Sequence, residues 1–240
     1  EARHEGPPAV DPLMAARPRL AEPAPAEGRT SGPRRAPSQQ RGRATVERIL
    51  AATSQLLDAD GPEGLTTTAI ADRAGVAIGT LYQYFADADA VVDAYVQVQF
   101  EAFVELVRTT LEREQPGDLG EVGVVLVDAF VAHYRARPGF RRLWFSSQFT
   151  ARYAQQDRAN DNLLAAETFA WCRRHGVLPE GDDEGLALDL TVAWTVADAL
   201  VHLAFRLDPD GDDAVLDRLR TLLALGAGSA GLSSTVHPGV

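Results

Sequence analysis

The chain has 240 residues, 45% of them hydrophobic, enough to bury a sizeable core and to exclude a chain disordered throughout. Its formal net charge of -11 excludes a uniformly basic nucleic-acid binder, because grip on phosphate draws on counterion release by basic groups. A single cysteine, Cys172, excludes an internal disulfide and a cysteine-rich zinc site, which suits a reducing compartment.

Residues 1–40 hold eight of the fourteen prolines and few aliphatic side chains, so they cannot bury enough surface to offset ordering and read as a disordered arm. Between Arg29 and Arg48 six arginines stand against one acid, Glu47, which gives that stretch a net charge of +5 in an otherwise acidic chain. From Arg43 the pattern turns helical: Val46, Ile49, Leu50, Leu56 and Leu57 share a face, and Asp60-Gly61-Pro62 ends the helix.

Two short helices follow around a glycine. Ile70, Ala71 and Ala74 form one inward stripe, Gly75 supplies backbone freedom for a sharp turn, and Val76, Leu81 and Phe85 form the second stripe. A cap at Thr66 or Thr67 starts the first of these helices, the next spans roughly Ile78 to Tyr84, and Asp87 or Asp89 starts a long fourth helix that Pro116-Gly117 closes. Two helices wedged in this way form a helix-turn-helix, which leaves one face for a DNA groove. Further apolar runs at helical spacing cover Leu119 to Ala136, Phe140 to Phe149, Tyr153 to His175, Glu184 to Leu207 and Asp213 to Leu225. No segment alternates as a strand would, so the fold class is all-α.

Leu65-Thr66-Thr67, Ile70-Ala71, Ala74-Gly75-Val76, Gly79-Thr80-Leu81-Tyr82 and Tyr84-Phe85, at this spacing, resemble the tetracycline-repressor (TetR) family of bacterial transcription regulators. The resemblance is specific across residues 43–92. It implies a three-helix DNA-binding domain followed by a larger helical domain that binds a small effector and dimerises through its last two helices. It divides the chain into an arm at 1–40, a DNA-binding domain at 41–88 with its helix-turn-helix at 66–85, an effector and dimerisation domain at 89–226, and a flexible tail at 227–240.

Carried over residue by residue, the resemblance places Tyr82 and Tyr84 on phosphates and Thr68, Ala77, Ile78, Gly79 and Gln83 near base edges. Gln83 is then the best hydrogen-bonding reader and Ile78 the best contact for a thymine methyl. Thr67, at a helix start, and the Thr80 hydroxyl suit backbone contacts, and Arg41 and Arg43 suit phosphate. Two positions depart from the family, which often has serine where Ala77 stands and lysine where Ala88 stands. Both weaken the expected hold of the motif and shift weight to the arginines.

In the remainder, Phe103, Tyr134, Trp144, Phe145, Phe149, Phe169 and Trp171 are the expected lining of an apolar effector pocket, with ordinary core as the other reading of any single ring. Glu184 to Leu207 is apolar around so much of its circumference that several sides must be covered. A four-helix bundle with a second copy would do so, and Trp194, Asp198, Leu200, His202, Leu219, Leu222 and Leu223 are its expected interface. Asp198 and His202, one turn apart, either orient a ligand or pin that interface. Cys172 and His175 are also one turn apart, but two ligands do not make a zinc site.

The expected function is therefore a homodimeric repressor, released from a palindromic double-stranded operator by a small-molecule effector. The alternative is a helical sensing or interaction protein whose helix-turn-helix binds DNA weakly or not at all. No phosphate loop, metal cluster or activated nucleophile is visible, so neither an enzyme nor a cofactor or metal is expected. No secretion signal is visible, and Asp189, Asp198 and His202 break the most apolar stretch, Leu186 to Leu207. A cytoplasmic bacterial protein without a membrane partner is expected.

Overall fold

Val46, Ile49, Ala52, Leu56 and Leu57 are buried along one face of α1 (Arg35–Asp60) in a computed structural model that describes residues 35–229. The expected arm up to residue 34 and the tail from residue 230 lie outside the described residues. Residues 35–40, read above as arm, are the opening of α1. Pro37 is tolerated there because an N–H in the first helical turn has no intrahelical partner to lose. A 3-10 turn, Pro62–Gly64, follows α1.

Next come α2 (Thr67–Ala74), α3 (Ile78–Leu81) and α4 (Ala88–Glu114). Thr66 is the cap of α2: its hydroxyl accepts from Ala69 N at 3.1 Å. Gly75 ends the helix with φ 64°, left-handed backbone that costs a residue with a Cβ about 1–2 kcal/mol. Expected to run to Tyr84, α3 instead ends at Leu81. Gln83 N and Tyr84 N bond three residues back, to Thr80 O and Leu81 O, so the last turn tightens. Asp87, rather than Asp89, caps α4, accepting from Ala90 N at 2.8 Å.

The remaining helices are α5 (Leu119–Arg135), α6 (Pro138–Trp144), α7 (Ser147–Arg174), α8 (Asp183–Leu207) and α9 (Asp213–Ser229). The run from Phe140 to Phe149, expected to be one helix, is two, because the Ser146 side chain accepts from Phe149 N and starts a new helix one turn earlier. α9 continues to Ser229, past the expected tail boundary at 227. No strand occurs among the described residues, and the fold is all-α.

Contacts divide the described chain into two units. The first holds residues 35–53 and Thr66–Glu101, with Ile49, Ile70, Leu81 and Val91 fully buried. The second holds Ser54–Leu65 and residues 102–229. The division falls inside α4, between Glu101 and Ala102, rather than at its start, because Val91, Tyr95, Val96 and Phe100 belong to the buried set of the first unit.

In the second unit α5 pairs along α9 and α7 along α8, with α8 also against α9. Phe103 is the centre of its aromatic core, with Trp144, Phe130 and His133 rings at 5.1, 5.2 and 5.3 Å. Arg108 clamps α4 to α7 through two bonds to Glu167, at 3.0 and 2.6 Å. The start of α6 passes so close to the end of α1 that a Cβ at Gly139 would lie 2.2 Å from Leu57 C.

Candidate nucleic-acid interface and ligand cavity

In the first unit the helix-turn-helix sorts its side chains by face. Leu81 and Phe85 are buried, while Thr68, Ala77, Ile78, Gly79, Tyr82 and Gln83 are exposed and Thr67, Thr80 and Tyr84 are half-buried. Ile78 and Tyr82 are 42% and 53% exposed, high for large apolar side chains whose neighbours on the same turn are core. Ala77 stands at the N-cap of α3 without a side-chain bond, as the missing serine implied. Gln83 lies just past α3 rather than on it.

The Thr67 and Tyr82 hydroxyls approach to 3.2 Å, so two groups expected on phosphate share one spot of surface. A Cβ at Gly42 would lie 3.4 Å from the Tyr84 hydroxyl. Arg41 and Arg43, both exposed, are the chain neighbours of this Gly42 on α1. Hydroxyls, an amide, an apolar tip and two guanidinium groups on one face are what backbone positioning and base readout require.

The second unit holds a half-open cavity of about 90 Å³. One water needs roughly 10–15 Å³, so the space takes several waters or one compact organic molecule. Its wall follows helical spacing: Val122, Leu126, Phe130 and Tyr134 from α5, Asp157, Asp161, Leu164 and Thr168 from α7, and Leu190, Trp194, Ala197 and Val201 from α8. Trp194 Nε1 donates to Thr168 Oγ1 at 3.3 Å, and its ring meets Phe130 edge-on at 5.5 Å.

Of the seven rings expected to line it, Phe103, Tyr134 and Trp144 do. The other four are not among its lining residues and pack elsewhere. Phe145 stacks on Phe205 at 5.1 Å, Phe149 lies 4.5 Å from Trp144, Phe169 lies under Arg173, and Trp171 stacks on His175 at 4.2 Å. Unnamed in the sequence reading were Phe130 and the polar lining Asp157, Asn160, Asp161 and Thr168; Trp194, expected at the interface, also lines the cavity, as does Asp198, for which ligand orientation was one of two readings. The legible signal was the 157, 160, 161, 164, 168 spacing, which sets three acid or amide groups on the inward stripe of α7.

That wall is electrostatically costly. Burial, then Asp198 and Asp157, push the Asp161 carboxyl up to about 8. Burial raises Asp157 and Asp198 to about 6 each, Asp198 adding to the effect on Asp157. Burial lowers His202, which stands 3.5 Å from the Asp198 carboxylate. Although no metal site was expected, ligand atoms of Asp157, Asp198 and His202 lie within 4.8 Å of one another. Cys172 and His175 come no nearer to a metal site: the buried thiol is pushed up to about 11, and His175 bonds to Trp171 O.

The expected interface residues also divide. Trp194, Asp198 and Leu223 line the cavity, His202 meets the Phe145 ring at 4.6 Å, and Leu219 is fully buried within the chain. Leu222 is 55% exposed and Leu200 half-buried. The exposed apolar stripe is one helical phase away, at Leu188, Val192 and Val196 of α8 and Leu225 of α9. An apolar helix with two buried demands offers no sequence cue to which stripe serves which.

Two family models match. Residues 49–95 match bacterial regulatory proteins of the tetR family, and residues 117–225 match the tetracyclin repressor-like C-terminal domain. Among solved structures, a TetR-family transcriptional regulator from Streptomyces coelicolor is 30% identical, with a TM-score of 0.56, covering 80% of this chain and 99% of its own. The fatty acid degradation regulator FadR from Bacillus halodurans is 21% identical, with a TM-score of 0.55, covering 82% and 98%. SmeT in complex with triclosan is also 21% identical, with a TM-score of 0.53, covering 82% and 96%. No curated protein matches.

Proposed function

The chain belongs to the TetR family and is a DNA-binding transcriptional regulator with a ligand-binding domain, and from that premise we propose that it is a homodimeric repressor released from a palindromic operator by a small molecule. The observation that carries the DNA-reading half is the outward set Ile78, Tyr82 and Gln83 beside a buried Leu81 and Phe85. Tyr82 and Thr67 hold phosphate, Ile78 and Gln83 meet base edges, and Arg41 and Arg43 supply the positive charge that the acidic chain otherwise lacks.

The effector enters the cavity of the second unit, as a compact ligand would; SmeT, of the same fold, is known with triclosan bound. Ligand binding favours the conformation in which the two recognition helices leave their half-site spacing of roughly 34–36 Å. The stripe Leu188, Val192, Val196 and Leu225 meets its copy across a two-fold axis. We read α8, which is long and apolar enough to cross a membrane, as this dimer helix, since Asp198 on its other face lines the cavity. The protein acts in the cytoplasm and without enzymatic activity.

Selection from a random duplex pool should enrich a palindrome, and no enrichment at low salt would overturn the reading. Tyr82→Ala should weaken binding to that duplex by about tenfold or more while helicity is retained, since hydrogen bonds to charged groups are worth about 1.5–3 kcal/mol. Unchanged affinity would remove Tyr82 from the interface.

A further inference from the structure

We infer that the cavity binds an organic cation, an ammonium group on a compact aromatic or apolar body, with the nitrogen seated among Asp157, Asp161 and Asp198. The inference rests on the reading of this cavity as the effector site and names the chemistry of its ligand.

Three carboxylates from α7 and α8 line the space, while no arginine lines it among the described residues and the chain has no lysine. A second observation is independent of their charge. Asn160 lines the same wall at 7% exposure, and its Oδ1 has no hydrogen-bond partner. A buried acceptor without a donor is destabilising, and a ligand N–H relieves that cost. The ammonium group meets both demands, because it carries positive charge and donates several hydrogen bonds.

The aromatic part of the lining defines the rest of the ligand. Phe130, Trp194, Trp144 and Tyr134 offer ring faces and edges, the surroundings in which an aromatic body packs and a cation gains from ring quadrupoles. A bare divalent ion would use the trio Asp157, Asp198 and His202 and leave Asn160 and the aromatic lining without a partner. A neutral phenol would fill the apolar half and leave the carboxylates uncompensated. Raised carboxylate affinities for protons accord with a site that lacks its counter-charge when empty.

The test is calorimetric titration of the full chain with phenylalkylammonium ions of one to four methylenes, each matched by the neutral alcohol and the anionic carboxylate of the same length. At least one amine should bind about tenfold or more tightly than its alcohol, the discrimination expected when a desolvated charge is paired. Heats measured in two buffers should show protons released on amine binding and none with the alcohol. Asp161→Asn and Asp198→Asn should each weaken the amine more than its matched alcohol, and Asn160→Ala should weaken the amine. The wild-type comparison stands even where a variant does not fold.

Equal affinity for amine and alcohol, preference for the carboxylate, no binding by any amine, or a response to manganese or zinc ions alone would each overturn the inference. Duplex binding followed in the same samples separates the two readings. An amine that binds without releasing duplex supports the cation site and sinks the release mechanism. Intact duplex binding with no amine bound sinks the site and leaves the DNA-reading face standing.

Discussion

Asp161 carries the largest pH consequence of any side chain in the cavity. Its carboxyl is held up to about 8 by burial, by Asp198 and by Asp157, against an ordinary value of 3.8. The folded chain therefore keeps a proton that the unfolded chain releases, and stability falls as pH rises from about 4 to about 8. Asp198 and Asp157 resist a further negative charge at Asp161, and the three carboxyls together act on the buried Tyr134 phenol, while His202 and Arg158 offset only Asp157. Thermal melts across that window should show a steep loss for the wild type and a shallower one for Asp161→Asn, which should be the more stable protein at the alkaline end. Parallel pH profiles for the two would remove Asp161 as the source. Tyr82 is the opposite case: it is 53% exposed and its hydroxyl meets the Thr67 hydroxyl at 3.2 Å, so its loss should cost DNA binding rather than folding.

Among the elements, α3 is the least supported by its own sequence. Four residues long, it begins at Ala77, whose methyl group cannot accept from the helix N–H groups. Ala77→Ser adds that acceptor and should stabilise the protein by about 0.5–1 kcal/mol, read as a rise in the thermal midpoint. An unchanged or lowered midpoint would show that backbone geometry at this turn does not suit a cap. The break at Phe145 and Ser146 teaches the same lesson. Phe145 and Phe149 keep an i, i+4 spacing across it, yet one serine hydroxyl accepting from Phe149 N is enough to restart the chain as α7. Periodicity reports which side of a helix is buried, not whether the helix is continuous.

For the whole molecule, the exposed stripe of α8 and α9 is the outstanding apolar surface, with Leu188 at 64% and Leu225 at 69% exposure. Scattered leucines on a surface need no explanation, but a row at one helical phase on adjacent helices marks an interface. Val192→Glu together with Leu225→Glu should convert the protein to a monomer in sedimentation while leaving helicity unchanged, and should reduce operator affinity because one half-site is then read at a time. A wild-type monomer at micromolar concentration would overturn the dimer reading. Leu219→Glu should instead unfold the second unit, since that side chain has no exposure within the chain.

Residues 66–85 determined the helix-turn-helix by themselves, because glycine, caps and apolar spacing act over a few residues and leave a local record. All-helical architecture was legible for the same reason, whereas of the seven rings expected at the cavity Phe103, Tyr134 and Trp144 line it and four do not. What only the tertiary structure decided was the division of labour on α7 and α8. Asp157 and Asp198 are 41 positions apart in the chain, and nothing local states that both point into one apolar space. Trp194 and Asp198 read as interface because a helix buried on two sides carries apolar residues on both, and only the packing of α5, α7 and α9 against it assigns one stripe to the cavity and the other to the exterior.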